Sequence, residues 1–276
     1  MRRTRERMRA LAIVVLAGVF LLPIYWMVVT SLKSEDENIA WPPTFWPGEC
    51  TLENYREVVS HPEDTPVFLW FRNSLVAATS YSVLSVAIAL LAGYALARME
   101  FPGKRLYLIL LLVGMAVPAI VLLIPSFIVV DALGWTDTLK AIIFPHLGNT
   151  FAILLIAQYL KKLPRDVEDA ARMDGASSLK ILIHIVVPFT KPILLTLLVL
   201  NFMANWNDYF WPFITLYSPD MRTMPVGMAT LQGRFFHFYG SMMAGAVLMA
   251  LPSILLFILV QRYYIRAIGL SGALKE

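Results

Sequence analysis

Pro164-Arg-Asp-Val-Glu-Asp-Ala-Ala-Arg-Met-Asp-Gly-Ala-Ser-Ser178 is a charged stretch set between two long apolar runs, and it leads into Ile185-Val-Val-Pro188. A segment this polar is costly to place in hydrocarbon, so it reads as a connection outside a membrane. Its pattern is helical all the same. Pro164 suits a first helical turn, Asp166, Glu168 and Asp169 are favourable near the N-terminus, and Ala170, Ala171 and Met173 follow with good propensity. Gly175 can take the left-handed conformation that ends a helix. A second helix can start near Ser177, present Leu179, Leu182, Ile183 and Val186 to an apolar environment, and end before Pro188. The expectation is a helix-turn-helix lying along or just below a membrane.

The surrounding chain supplies that membrane. Of its 276 residues 58% are hydrophobic and 15% charged, with a mean hydropathy of +0.67, far from a soluble domain. Six apolar runs reach the roughly 20 residues that a helix needs to cross a core of about 30 Å. They lie near residues 11–31, 74–97, 106–130, 138–160, 193–216 and 242–260. Alternating strand patterning is absent, so the expected fold class is an all-α integral membrane protein with six transmembrane helices. No internal repeat or low-complexity tract divides it, and residues 1–276 read as a single transmembrane domain. The Arg-rich start followed by a long apolar run without a small-residue cleavage pattern reads as an uncleaved first span.

Basic residues set the orientation, because positive charge beside a span resists translocation. Seventeen of the 23 Lys and Arg fall in the N-terminal arm, around Arg98 to Arg105, in the 161–191 loop or in the C-terminal tail. Both termini are therefore expected in the cytoplasm. The other side is acidic, with Glu35, Asp36, Glu37, Glu49, Glu53 and Glu57 among its residues. The net charge of +4 is thus a topology signal and not a nucleic-acid footprint, since the bases sit beside spans. Cys50, alone, makes no internal disulfide or multi-cysteine metal site. His61, His146, His184 and His237 occur singly, and each reads as structural, so no metal site is expected.

The first outer loop, 33–72, carries a stiff aromatic stretch, Trp41-Pro-Pro-Thr-Phe-Trp-Pro47, and then a short helical pattern with Leu52, Tyr55 and Val59 on one side. A helix lying at the interface and a surface for an outside partner are both open readings. In the third run Pro118 and Pro125 each remove a backbone donor, and hinge and passive packing kink are equally open.

Against these residues a family resemblance becomes specific. Asp169-Ala170-Ala171, three residues, Gly175, nine residues and Ile185-Val-Val187-Pro188 are similar to the EAA loop of ABC importer permeases, with Asp169 for Glu and Val187 for Leu. Elsewhere the chain resembles the maltose-type carbohydrate permeases in Thr30-Ser-Leu-Lys33, Asn73-Ser74, Tyr94-Ala-Leu-Ala-Arg98, Phe101-Pro-Gly-Lys104, Trp206-Asn-Asp208 and the tail from Gln261-Arg262 to Gly272. The resemblance implies a type I importer permease with six spans in a bacterial or archaeal cytoplasmic membrane, importing a sugar or related solute. It implies partners: a second permease, two ATPase subunits inside and a solute-binding protein outside. ATP and Mg would be bound by the partner ATPase, because Gly103-Lys104 lacks the upstream glycine and strand of a phosphate loop and this chain needs no cofactor. In the family, the loop that here carries Glu168, Asp169, Ala170, Ala171, Asp174, Gly175 and Pro188 is the lever on which the ATPase pushes.

Candidates for the translocation path are Asn201, Asn205, Trp206 and Asp208. The three polar residues are spaced i, i+4 and i+7 on one helical face, with the asparagines about 12 and 18 Å into the span. Amides can bind sugar hydroxyls or join helices, and both readings stand. Gln232, Gly233, Phe235 and Phe236, in an aromatic outer segment, are candidates for contact with the binding protein, with an interfacial aromatic belt as the alternative. An ATP-independent secondary transporter is the competing class, expected to bury an ionisable residue deep in a span; Asp208 is the nearest such residue. No nucleophile, dyad or metal constellation in the spans suggests an enzyme.

Overall fold

Hydrocarbon leaves the backbone only helices or closed barrels, and this chain takes the first course. The computed structural model describes residues 2–60, 65–234 and 238–273, and every regular element among them is a helix. The elements are α1 (Arg2–Ser31), α2 (Glu35–Ile39), α3 (Glu53–Val59), α4 (Val67–Arg98), α5 (Lys104–Ala116), α6 (Leu123–Ala132), α7 (Lys140–Ile143), α8 (Thr150–Lys161), α9 (Asp166–Met173), α10 (Ser178–Ile181), α11 (Val187–Trp206), α12 (Phe210–Thr215), α13 (Met224–Arg234) and α14 (Tyr239–Ala273).

Among the described residues four helices are long and apolar enough to cross a membrane: Glu6–Ser31, Val67–Arg98, Ser178–Trp206 and Tyr239–Gln261. Together α5 and the segment ending in α6, bent by 96° to one another, have the length and apolarity of a broken span or a re-entrant loop. The bend falls at Pro118, which lacks the N–H a straight helix needs. Where the sequence suggests one span over 138–160, the structure has short α7, a turn and the twelve residues of α8. Pro145 and Gly148 interrupt the helix there, and Asn149 restarts it by accepting a hydrogen bond from Ala152 N at 3.1 Å. The run expected over 193–216 likewise stops at Trp206, and Asp208 Oδ1 accepts from Trp211 N at 3.4 Å at the start of α12.

Two compact units are present, each with its own core. Residues 1–71 and 224–252 form one, around Val58, Val67, Trp70, Met224, Leu231 and Ala244. In this unit α3 is tied to the end of α1: Asn54 Nδ2 donates to Ser31 O at 2.9 Å and Lys33 O at 2.7 Å. Asn54 and Val58 are buried, with Tyr55 and Val59 half-buried beside them, while Leu52, which the helical spacing groups with Tyr55 and Val59, is exposed ahead of the first turn. The Glu37 carboxylate gathers the Trp-Pro stretch, accepting from Thr44 Oγ1 at 2.6 Å and Gly48 N at 3.1 Å. By contrast α1 is apolar all round and bare from Leu11 to Leu22, as a span facing lipid or another subunit requires.

Residues 72–223 and 253–276 form the second unit. Its main core packs α4 against α8 and α11 through Leu96, Ile156, Leu160 and Leu197, with Val186 just ahead of α11. The helices approach closely at Gly93, where a Cβ would fall 2.9 Å from Ile156 Cγ2.

Candidate functional site

The charged stretch folds as its pattern requires, up to a point. Arg165 precedes the first turn of α9, so Pro164 lies just outside the helix. Gly175 has φ +81°, and Ala176 N reaches back to Ala171 O at 2.9 Å, closing the helix with its C-terminal carbonyls satisfied. The Ser177 side chain then caps the next turn. The second helix does not end before Pro188. It runs on through a π turn, in which Val187 N donates to Leu182 O five residues back, into α11. The wider turn accommodates a proline that has no N–H for the carbonyl four residues earlier. A 29-residue helix, Ser178–Trp206, therefore joins the loop directly to a membrane span.

The carboxylates of α9 divide between two environments. Glu168 is turned inward and 1% exposed, its Oε1 2.7 Å from Arg98 Nε at the end of α4. Arg98 Nη2 also donates to Leu163 O at 3.0 Å, and Tyr94 Oη donates to Glu168 Oε2 at 3.3 Å. Asp169 faces outward and pairs with Arg172, at 2.7 Å on the same exposed surface. Beside it Val167, Ala170, Met173 and Asp174 are exposed, Met173 at 88%. A Cβ on Gly175 would meet nothing in this chain within 4 Å. The result is an amphipathic helix anchored by one buried ion pair, with a small-residue face left open.

A second feature of the same unit is a cavity of about 310 Å³ at the helix breaks. Asn205, Asp208, His146, Tyr81 and Trp211 bring polar and aromatic groups to it, and Ile120, Leu123 and Ile142 form apolar wall. Asn205 Nδ2 donates to Ile142 O at 3.0 Å, Trp211 Nε1 to Ala141 O at 2.8 Å, and Tyr81 Oη to His146 O at 3.2 Å. His146 meets Trp211 edge to face at 5.3 Å.

The four path residues separate here. Asn205 and Asp208 line the cavity, although Asp208 lies beyond the end of α11 and not on its continuing face. Asn201 is 3% exposed, accepting from Asn149 Nδ2 at 2.9 Å and donating to Ser85 Oγ at 3.2 Å. Trp206 is buried and stacked on Phe202, with ring centroids 5.8 Å apart. His146, Tyr81 and Trp211 were missed because no local spacing links residues from three separate elements. Gln232 and Gly233 fall in the last turn of α13, while Phe235 and Phe236 lie outside the described residues.

The sequence profile of the binding-protein-dependent transport system inner membrane components matches residues 71–269, taking in most of α4, α9, the π turn and α11. The chain belongs to that family. As a permease it is a transport subunit of an ATP-binding-cassette importer and not an enzyme. It is 33% identical, over 95% of its length and 94% of the relative's, to the trehalose/maltose transport system permease protein MalG of Thermococcus litoralis. It is 31% identical to the arabinooligosaccharides transport system permease protein AraQ of Bacillus subtilis, over 93% of this permease and 92% of AraQ. Among solved structures, a chain of a bacterial ABC transporter involved in the import of the acidic polysaccharide alginate superposes with a TM-score of 0.84. That match, at 24% identity, covers 95% of this permease and 97% of that chain.

Proposed function

We propose that this permease moves a sugar or related solute across the cytoplasmic membrane by alternating access, driven by ATPase subunits that dock on α9. The observation that carries the reading is the build of α9. Its inner side is fastened to α4 through Arg98 and Glu168, its end runs by way of Gly175 into the helix that becomes α11, and its outer side is bare. A push on such a helix moves two membrane-spanning helices together instead of bending a loop. Asp169, Ala170, Ala171, Asp174 and Gly175 form or border the docking face. Glu168 holds the helix in place, and Pro188 with its π turn continues the rigid connection.

The relatives named for arabinooligosaccharides and for trehalose and maltose support a carbohydrate cargo. Asn205 and Asp208 are the residues best placed to meet it, next to Trp211, since carboxylate and amide oxygens accept from hydroxyls and aromatic faces suit sugar rings. The chain acts as a single transmembrane domain with both termini in the cytoplasm, beside a second permease, and receives solute from an extracytoplasmic binding protein. It holds no cofactor itself, ATP and Mg being bound by the ATPase. An ATP-independent secondary transporter fits less well, because a bare amphipathic cytoplasmic helix has no use in it.

The test is co-purification of the assembled transporter from detergent, comparing wild type with Gly175→Arg, together with ATP-driven sugar uptake in proteoliposomes. Loss of the ATPase subunit from a folded variant supports the reading. A wild-type permease that recruits no ATPase, or takes up solute without ATP, overturns it.

A further inference from the structure

A cleft of about 270 Å³ opens where α4 ends, α5 begins and α8 runs out toward α9. Its lining is more polar than apolar: three basic residues, Lys104, Lys161 and Arg165, and one carboxylate, Glu100, which is paired with Lys104 and leaves the other two bases in excess. Lys104 is already engaged, donating to Met99 O at 2.8 Å and to Glu100 Oε1 at 3.0 Å. Lys161 and Arg165 are exposed and ion-paired with no carboxylate among the described residues. Leu108 and Leu154 stand beside them as an apolar wall.

This arrangement differs from basic residues merely scattered along a cytoplasmic face. Lys162 and Lys180 are as basic and as exposed, yet neither lines the cleft. The cleft also lies beside the end of the spanning helix α4, and basic pockets at the cytoplasmic ends of spans hold anionic headgroups while the chains stay in the hydrocarbon. Its volume suits a headgroup fragment and not a whole drug-sized ligand.

We propose that this cleft binds the phosphate of an anionic phospholipid of the cytoplasmic leaflet, with Lys161 and Arg165 as its principal charge partners, Lys104 at the edge, and an acyl chain against Leu108 and Leu154. The proposal rests on the cytoplasmic orientation given above. Arg165 immediately precedes α9, and Arg98 holds the Leu163 carbonyl two residues earlier. Lipid bound here therefore braces the start of the coupling helix, and transport becomes sensitive to the anionic lipid content of the membrane.

The experiment is native mass spectrometry of the assembled transporter incubated with equal amounts of phosphatidylglycerol and phosphatidylcholine. Wild type should retain phosphatidylglycerol preferentially. The double variant Lys161→Gln/Arg165→Gln should weaken that retention by about tenfold or more, from the attraction contributed by each basic group. The charge-matched control Lys162→Gln/Lys180→Gln should retain lipid as wild type does. No preference for phosphatidylglycerol, equal loss in the control, or displacement by millimolar inorganic phosphate alone overturns the lipid site, the last assigning the cleft to a free anion. The same spectra report whether ATPase subunits are bound. Lipid retained without ATPase counts against the permease function proposed above, whereas ATPase bound without lipid preference counts against this proposal alone.

Discussion

Arg98 Nε lies 2.7 Å from Glu168 Oε1, with the two side chains 4% and 1% exposed, so α9 is fastened to α4 by a charge pair shielded from water. Removing Glu168 leaves Arg98 buried without a carboxylate, and removing Arg98 leaves Glu168 only the looser 3.8 Å contact with half-exposed Arg172, at a cost of about 3–5 kcal/mol. Arg98→Ala and Glu168→Ala should each lower the thermal stability of the purified permease and uncouple ATP hydrolysis from uptake. The swapped pair Arg98→Glu/Glu168→Arg should recover part of both. Stability without recovery of coupling in the swap would limit the pair to a folding role.

Gly175 at φ +81° separates backbone from docking effects. A Cβ there meets nothing in this chain, so Gly175→Ala should cost only the left-handed conformation, about 1–2 kcal/mol. Gly175→Asn should cost less, since asparagine tolerates that region. A long side chain, as in Gly175→Arg, should abolish ATPase docking while shifting the melting temperature no more than Ala does. Thermal melts and co-purification of the three variants check this.

How far the fold could be read in advance depends on whether a feature is local. Gly175, the Ser177 cap and the helix before them follow from adjacent residues, and all three appear in the structure. The bend at Pro118 was signalled by the proline itself, whereas the breaks at Pro145 and Asp208 were harder, because apolar content remains high on both sides of each and hydropathy averages across them. Pro188 misled differently. It reads as a stop, but a π turn can absorb the missing N–H, and Pro192 is carried in the same helix, with Thr196 Oγ1 donating to its carbonyl at 2.9 Å. The inward turn of Glu168 was out of reach, since its neighbour Asp169 has the same chemistry and only the placement of Arg98, 70 residues away, tells them apart.

Asn201 and Asp208 share a spacing but should differ in what their loss does. Asn201→Ala strips partners from Asn149 and Ser85 in a buried network, costing about 1–2 kcal/mol in a membrane setting and lowering stability first. Asp208→Asn removes the charge of a cavity carboxylate beyond the end of α11 but keeps an acceptor for Trp211 N, so it should leave the melting temperature nearly unchanged while reducing sugar uptake by roughly tenfold, the worth of about one hydrogen bond to a charged group. Melting curves and initial uptake rates measured side by side decide the point. If Asn201→Ala proves stable and transport-defective, the amide belongs to the path after all.

Glu37 gives the outer segment a pH dependence of definite sign. Hydrogen bonds from the Thr44 hydroxyl and the Gly48 N–H hold its carboxyl below the ordinary value of 4.5, outweighing a small opposing effect of burial. A depressed folded pKa means that the clasp contributes fully above the unfolded value and is lost as pH falls through the folded one. Backbone amides around Thr44 and Gly48 should therefore exchange hydrogen at one protected level from pH 7 to about 5, after correction for intrinsic rates, and lose protection below about pH 4. Glu37→Gln keeps an acceptor but no titrating charge, so its exchange should lack that acid step. A wild-type profile that is flat through pH 3, or an acid step that persists in Glu37→Gln, would assign the order of this segment to other contacts, the Lys33 bond to Thr44 O first among them.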